Sequence, residues 1–247
     1  MQPGLNAEIE AANADPAASQ DAPMARWRIW RFVGIGLGAY LIALVALLPA
    51  RFIVRAGPRW AVAGTLWHGQ AVLADRYRVE WRWAPLRSLL AAGFAADVEL
   101  TGDGTDVVAA AVARPHRLVL SGIAGRADAA LLPLAVSLPF ACDGTMQLDL
   151  PRLVLARGAT ELVGEVRLDD GRCGAAGGLG RQPMPPLLAR AGVAPDGSTA
   201  IALAPIGQGR RHWLEARIVH GRIGVRITPE GARALPFARG WRIGAAP

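Results

Sequence analysis

Residues 76–83 read RYRVEWRW, and the alternation in that stretch decides the fold class. Tyr77, Val79, Trp81 and Trp83 fall on one face, with Arg76, Arg78, Glu80 and Arg82 on the other. Side chains alternate sides along a β-strand, so this period of two predicts a strand with one buried face. A sheet that is wet on one side is usually antiparallel. The pattern recurs downstream. FAADVELTG sets Phe94, Ala96, Val98 and Leu100 against Asp97 and Glu99. MQLDL aligns Met146, Leu148 and Leu150, and ELVGEVRL places Leu162, Val166 and Leu168 opposite Glu161, Glu165 and Arg167. Leu214, Ala216 and Ile218 precede Ile223, Val225 and Ile227, with His220-Gly221 marking the turn between them. Strand signals at intervals of about 8–12 residues predict a mainly β, mostly antiparallel domain, either a sandwich or an open curved sheet.

Helical periodicity is scarce beyond one N-terminal segment. PLRSLLAAG (residues 85–93) predicts a short helix, with Pro85 at its first position and Gly93 as its stop. PPLLARAG (residues 185–192) predicts another. GRCGAAGGLGRQPMPP (residues 171–186) is too rich in glycine and proline to continue a sheet. It predicts a loop, or a hinge joining two sheet halves.

From Phe32 to Ala50 the chain carries no charge. At helical rise this run is about 28 Å long, close to the hydrocarbon thickness of a bilayer. Arg26, Arg28 and Arg31 precede it, with Arg26, Trp27, Trp30 and Arg31 as membrane-interface residues, and Arg51, Arg55 and Arg59 follow it. A cleaved signal peptide needs small residues at −3 and −1. Here Leu48 and Leu44 occupy the −3 positions before Ala50 and Ala46. The expected organisation is therefore a disordered cytoplasmic tail (1–25), a single transmembrane signal anchor (26–52) and a β-rich domain (53–247). Three arginines on each side leave orientation undecided by charge. The strand-rich remainder and the two cysteines favour an extracytoplasmic domain.

The formal charge is +7 and all 27 basic residues are arginine, scattered along the chain. Nucleic-acid binding needs a concentrated basic face, so that class is excluded. His68, His116, His212 and His220 share no metal-ligand spacing. No GxSxG elbow occurs, and the glycines between Gly174 and Gly180 lack the order of a phosphate-binding loop. Asp169 and Asp170 are adjacent, so on a strand they would face opposite ways. No catalytic, cofactor or metal site is expected. Cys142 and Cys173 lie in separate turns flanking strands. In an oxidising compartment such a pair usually forms a disulfide; the alternative is two unrelated buried thiols.

GTLWHGQ (residues 64–70) puts a tryptophan and a histidine side by side between glycines. Without a partner base or ligand it reads as a hairpin, with its turn at His68-Gly69 and Trp67 packed over the strands. The stretch QAVLADRYRVEWRW then returns as the second strand.

In this order the elements resemble the type II secretion system protein N family. An anchor ends in LPARFIV (48–54), GTLWHGQA (64–71) follows, and then come WRWAPLRSLL (81–90) and GTMQLDLPRLVL (144–155). The residues carrying the likeness are Gly64, Thr65, Trp67, Gly69, Trp81, Trp83 and Pro85. The resemblance covers most of residues 40–170 and implies a single-pass inner-membrane protein of a Gram-negative cell with a periplasmic β domain. It implies a non-enzymatic accessory role in exporting folded proteins across the outer membrane, without cofactors. Partners would be the inner-membrane platform or the secretin, with membrane lipid contacting residues 32–50. The alternative is a periplasmic lipid- or lipopolysaccharide-handling module with an open apolar groove.

Overall fold

The computed structural model describes residues 22–52, 60–135, 140–175, 180–208 and 211–235, without the side chains of 22–29, 134 and 135. The expected tail lies outside these residues up to position 21. The chain divides into two compact units, Met1–Leu48 and Pro49–Pro247.

The first unit contains helix α1 (Ala22–Ala46), which overlaps the uncharged run. Its apolar side chains, among them Phe32, Ile35, Leu41 and Ile42, are exposed. Among the described residues no helix is long and apolar enough to cross a membrane. Trp30 and Arg31 are exposed on this helix, and the side chains of Arg26 and Trp27 lie outside the described residues.

The second unit is built on one antiparallel sheet of twelve strands in an open linear order. It begins with β1 (Trp60–Gly64), β2 (His68–Leu73) and β3 (Tyr77–Trp83). Helix α2 (Pro85–Leu90) then leads to β4 (Phe94–Gly102), β5 (Thr105–Arg114) and β6 (Arg117–Asp128). After helix α3 (Leu132–Ala135) comes β7 (Phe140–Asp143), followed by β8 (Thr145–Ala156) and β9 (Ala159–Leu168). Strands β10 (Gly171–Ala175) and β11 (Arg181–Met184) precede β12 (Leu187–Val193) and β13 (Thr199–Pro205). The chain continues through β14 (Leu214–Val219), β15 (Arg222–Ile227) and helix α4 (Pro229–Ala234). All strands but β7, β10 and β11 enter the large sheet; those three form a small sheet of their own.

Register explains why the alternating strands assemble this way. One row of directly opposed residues crosses all twelve strands: Val62, Ala71, Val79, Leu100, Val107, Gly125, Leu148, Val166, Ala189, Leu203, Leu214 and Ile227. A one-residue slip anywhere would turn that strand's apolar set to water, which pins the pairing. The adjacent row is polar over much of its length and includes Glu80, Glu99, Asp149, Glu165, Arg190, Glu215 and Arg226. The small sheet, α4 and the segment around Leu131 pack on the apolar face. There Ile123, Ala127, Met146 and Leu187 are buried with Cys142, Cys173, Met184 and Leu235.

Four expectations are corrected. Residues 171–186 are not a hinge between sheet halves: β9 pairs directly with β12, so the large sheet is continuous past them. Their ends form β10 and β11, which pair in a two-residue-period ladder despite their glycines and Pro183; residues 176–179 lie outside the described set. The PPLLARAG stretch forms strand β12 rather than a helix, because pairing with neighbours on both sides outweighs its weak helical spacing. The 70–83 stretch is two strands, not one. Ala74 and Asp75 both take positive φ and close a tight turn, with the Arg76 amide donating to the Leu73 carbonyl at 3.2 Å. Finally, the turn of the first hairpin lies at Thr65–Trp67, with Gly64 paired to Gly69. Positive φ belongs to Gly64 (+87°), while Gly69 is an ordinary strand residue.

Two bulges sit side by side in the middle of the sheet. Between Asp149 and Arg152, β8 places Leu150 and Pro151 opposite the single residue Gly164 of β9. Between Val108 and Ala110, β5 places Ala109 opposite both Gly122 and Ile123 of β6. A bulge is where a central strand can hold proline, whose missing N–H would otherwise break the ladder.

Candidate interaction surface

The motif residues converge on one end of the sheet, where they build a tryptophan-locked corner. Thr65 carries the turn: its amide donates to the His68 carbonyl at 2.9 Å, and the His68 amide donates to Thr65 Oγ1 at 3.2 Å. The next two residues are held by the neighbouring strand. Trp81 Nε1 donates to the Leu66 carbonyl at 3.0 Å, and the Trp83 amide donates to the Trp67 carbonyl at 2.8 Å. The Trp67 ring lies 4.6 Å from that of Trp83, tilted by 60°, and 6.1 Å from Phe94. Tilted aromatic pairs at such separations add to the stabilisation from burial alone.

Gly69 faces Trp81 across the pair, and any Cβ there would overlap the indole ring. The glycine is needed for close packing, not for its backbone freedom. Gly102 stands in the same relation to Tyr77. Pro85 opens α2 at a position where no intrahelical N–H is required. Ser88 Oγ accepts from Trp83 Nε1 and from the Ala95 amide, both at 2.9 Å, and donates to the Ala84 carbonyl. The helix ends with Ala92, not Gly93, in the left-handed region. All seven motif residues therefore have structural work in one corner, and His68 joins it only through its backbone.

This corner also receives the chain from upstream. Pro49 forms an isolated bridge with Thr65, and Ala50 is fully buried.

Tyr77 is buried at 1% exposure, and its hydroxyl finds no hydrogen-bond partner among the described residues. Burial raises its pKa above the ordinary phenol value of 10.0, and Asp128 reinforces the effect. Above that pH the unfolded chain gives up the proton while the folded chain keeps it, so stability falls as pH rises. The Tyr77→Phe variant is expected to equal or exceed the parent by about 1 kcal/mol at neutral pH. It should also lose part of the alkaline decline. Denaturant unfolding of both chains between pH 7 and about pH 11 measures each effect.

The polar face offers shallow depressions lined by charged side chains. One is bounded by Asp106, Arg126, Asp149, Glu165 and Arg167. Arg190 pairs with Glu165 at 2.9 Å, and Arg226 with Glu215 at 2.5 Å. The Arg226 guanidinium holds the Glu215 carboxyl below its usual range. These pairs are largely exposed, so they contribute little to stability. Among the described residues no three His, Cys, Asp or Glu side chains are placed to hold a metal. His212 lies 3.6 Å from Glu215, and His68, His116 and His220 sit at separate turns or strand ends.

Cys142 of β7 and Cys173 of β10 are directly paired and disulfide-bonded. They tie the small sheet together beneath the large one. That layer fills the apolar face over the middle of the sheet, so the expected alternative of an open lipid trough gains no support.

No curated protein and no solved structure compared with the chain matches it. The family model for type II secretion system protein N matches residues 60–210, from β1 to just beyond β13. It includes the tryptophan corner, both bulges and the disulfide. On that match, the chain belongs to the type II secretion system protein N family.

Proposed function

We propose that this protein is a non-enzymatic accessory component of the type II secretion system, anchored in the inner membrane with its β domain in the periplasm. The observation that carries the reading is the family match over residues 60–210. The anchor rests on the uncharged run from Phe32 to Ala50 and on the exposure of its apolar side chains. The periplasmic side rests on the disulfide, which persists in an oxidising compartment. The organisation is thus a cytoplasmic tail (1–25), an anchor (26–52) and a periplasmic domain (53–247).

The sheet's free edges supply a physical route to partners in the platform or the secretin. An edge strand carries unpaired N–H and C=O groups that can accept a strand from another chain. β15 is guarded by Arg222 and Arg226, whereas β1 reads WAVAG with no charge and is exposed at Ala61 and Ala63. β1 is therefore the docking edge. Lysines at Ala61 and Ala63 would guard it while leaving the apolar row through Val62 intact. The test compares export of a reporter substrate in a deletion strain carrying the parent gene, no gene, or the double-lysine variant. Export should fall to the deletion level with the variant. If deletion leaves export unchanged, the secretion role fails; if only deletion lowers export, β1 is not the edge used.

A further inference from the structure

Helix α2 has its amphipathicity inverted. Leu86, Leu89 and Leu90 occupy positions i, i+3 and i+4, the spacing of a core-facing stripe, yet they are 77%, 79% and 90% exposed. The opposite side is the one held down, through Ser88 and its bonds to Trp83 and Ala95. Three neighbouring leucines projecting from a six-residue helix form a convex apolar knob. Such a feature in water needs a partner.

The rest of the corner says which partner. Trp83 is 40% exposed, with its indole N–H bonded to Ser88 of the helix. An amphipathic ring of this kind suits a headgroup boundary. Arginines lie near the knob: Arg87 is on the helix, and Arg114 donates to the Ala91 carbonyl at the helix end. Arg157 lies beyond, its amide donating to the His116 carbonyl in the adjoining turn. Asp97, the acid facing them, is already paired with Arg87 at 2.8 Å. Apolar tips with arginines at the helix end and the turn beyond match an anionic bilayer surface. Position along the chain agrees. The uncharged run ends at Ala50, and its penultimate residue, Pro49, bridges Thr65 in the turn whose Trp67 packs on Trp83. Two residues after Trp83, α2 begins.

We infer that α2 dips Leu86, Leu89 and Leu90 into the bilayer that holds the anchor, with Arg114 and Arg157 meeting lipid phosphates. This second membrane contact rests on the anchored reading and would fix how the sheet stands on the membrane.

The full chain, reconstituted in vesicles of phosphatidylethanolamine and phosphatidylglycerol, tests it with single spin labels at Leu89→Cys, Ile206→Cys and Ile42→Cys. Collision with oxygen reports lipid, and collision with a water-soluble nickel chelate reports solvent. The native cysteines are bonded and do not take the label. Relative to Ile206, the labels at 89 and 42 should gain oxygen accessibility and lose nickel accessibility. Lipid exposure at 42 with solvent exposure at 89 overturns the inference and leaves the anchor standing. Solvent exposure at 42 removes the anchored reading and with it the inference of a second contact, whatever the label at 89 reports. A label at 89 shielded from both reagents means that protein covers the knob, which also overturns the inference. A Leu86→Ser, Leu90→Ser background should return the label at 89 to solvent without changing near-ultraviolet circular dichroism.

Discussion

Substituting alanine for Gly164 is expected to cost at least about 3 kcal/mol. Gly164 has φ of +138°, a region that residues with a side chain rarely adopt. It is also the single residue facing Leu150 and Pro151 across the central bulge. A Cβ added there would lie 2.6 Å from Leu150 Cα and 2.9 Å from Pro151 Cδ. Neither atom belongs to a flexible side chain that can swing away, so the β8–β9 ladder must shift. That ladder lies in the middle of the sheet with Met146, Leu148 and Leu168 packed beside it, and the strain reaches the core directly. Gly192 provides the matched control. It is also a strand glycine, but nothing lies within 4 Å of an added Cβ and its φ is not positive. Gly192→Ala is expected to change stability by no more than about 0.5 kcal/mol. Urea unfolding of the full chain in detergent, followed by tryptophan fluorescence, ranks the two. Equal stabilities would mean that the bulge is not as described.

The double variant Cys142→Ser, Cys173→Ser is expected to lose roughly 3–4 kcal/mol. The bond closes a loop spanning 31 positions, and much of its contribution comes from restricting the unfolded chain. The loop contains β8 and β9, so its closure also restricts two central strands of the large sheet. Reduction of the parent under mild denaturant should reproduce the loss. A variant as stable as the parent would show that packing of Met184 and Leu235 alone holds the small sheet in place.

Strand identity was legible because alternation is a local property. Tyr77 to Trp83 and Phe94 to Gly102 carry their own face assignment, and both form strands with those bounds. The places where reading failed are those where a partner elsewhere decides. Gly69 looks like a turn residue, but its role is to leave room for Trp81, eleven residues of intervening chain notwithstanding. Leu187 to Val193 has apolar spacing that fits a helix or a strand, and only the neighbours β9 and β13 select the strand. The pairing of β9 with β12 was equally hidden, since nothing local says that the chain leaves the sheet and returns to the strand it left. The leucine spacing of α2 was visible, but spacing normally signals a buried stripe; exposure depends on what covers the corner. The tryptophan corner's residues were legible as a set, while their hydrogen bonds depend on the register between β2 and β3.

The central claim is that this sheet works within the type II secretion machine. Its most direct measurement is photo-cross-linking in cells exporting through such a system, with Trp60 replaced by p-benzoylphenylalanine, followed by mass spectrometry of the adducts. The same probe at Arg222, on the guarded edge, gives the comparison. The account predicts adducts with inner-membrane platform proteins or the secretin from position 60, and few from position 222. Adducts limited to envelope proteins outside the secretion system, or no protein adduct at either position, would contradict it.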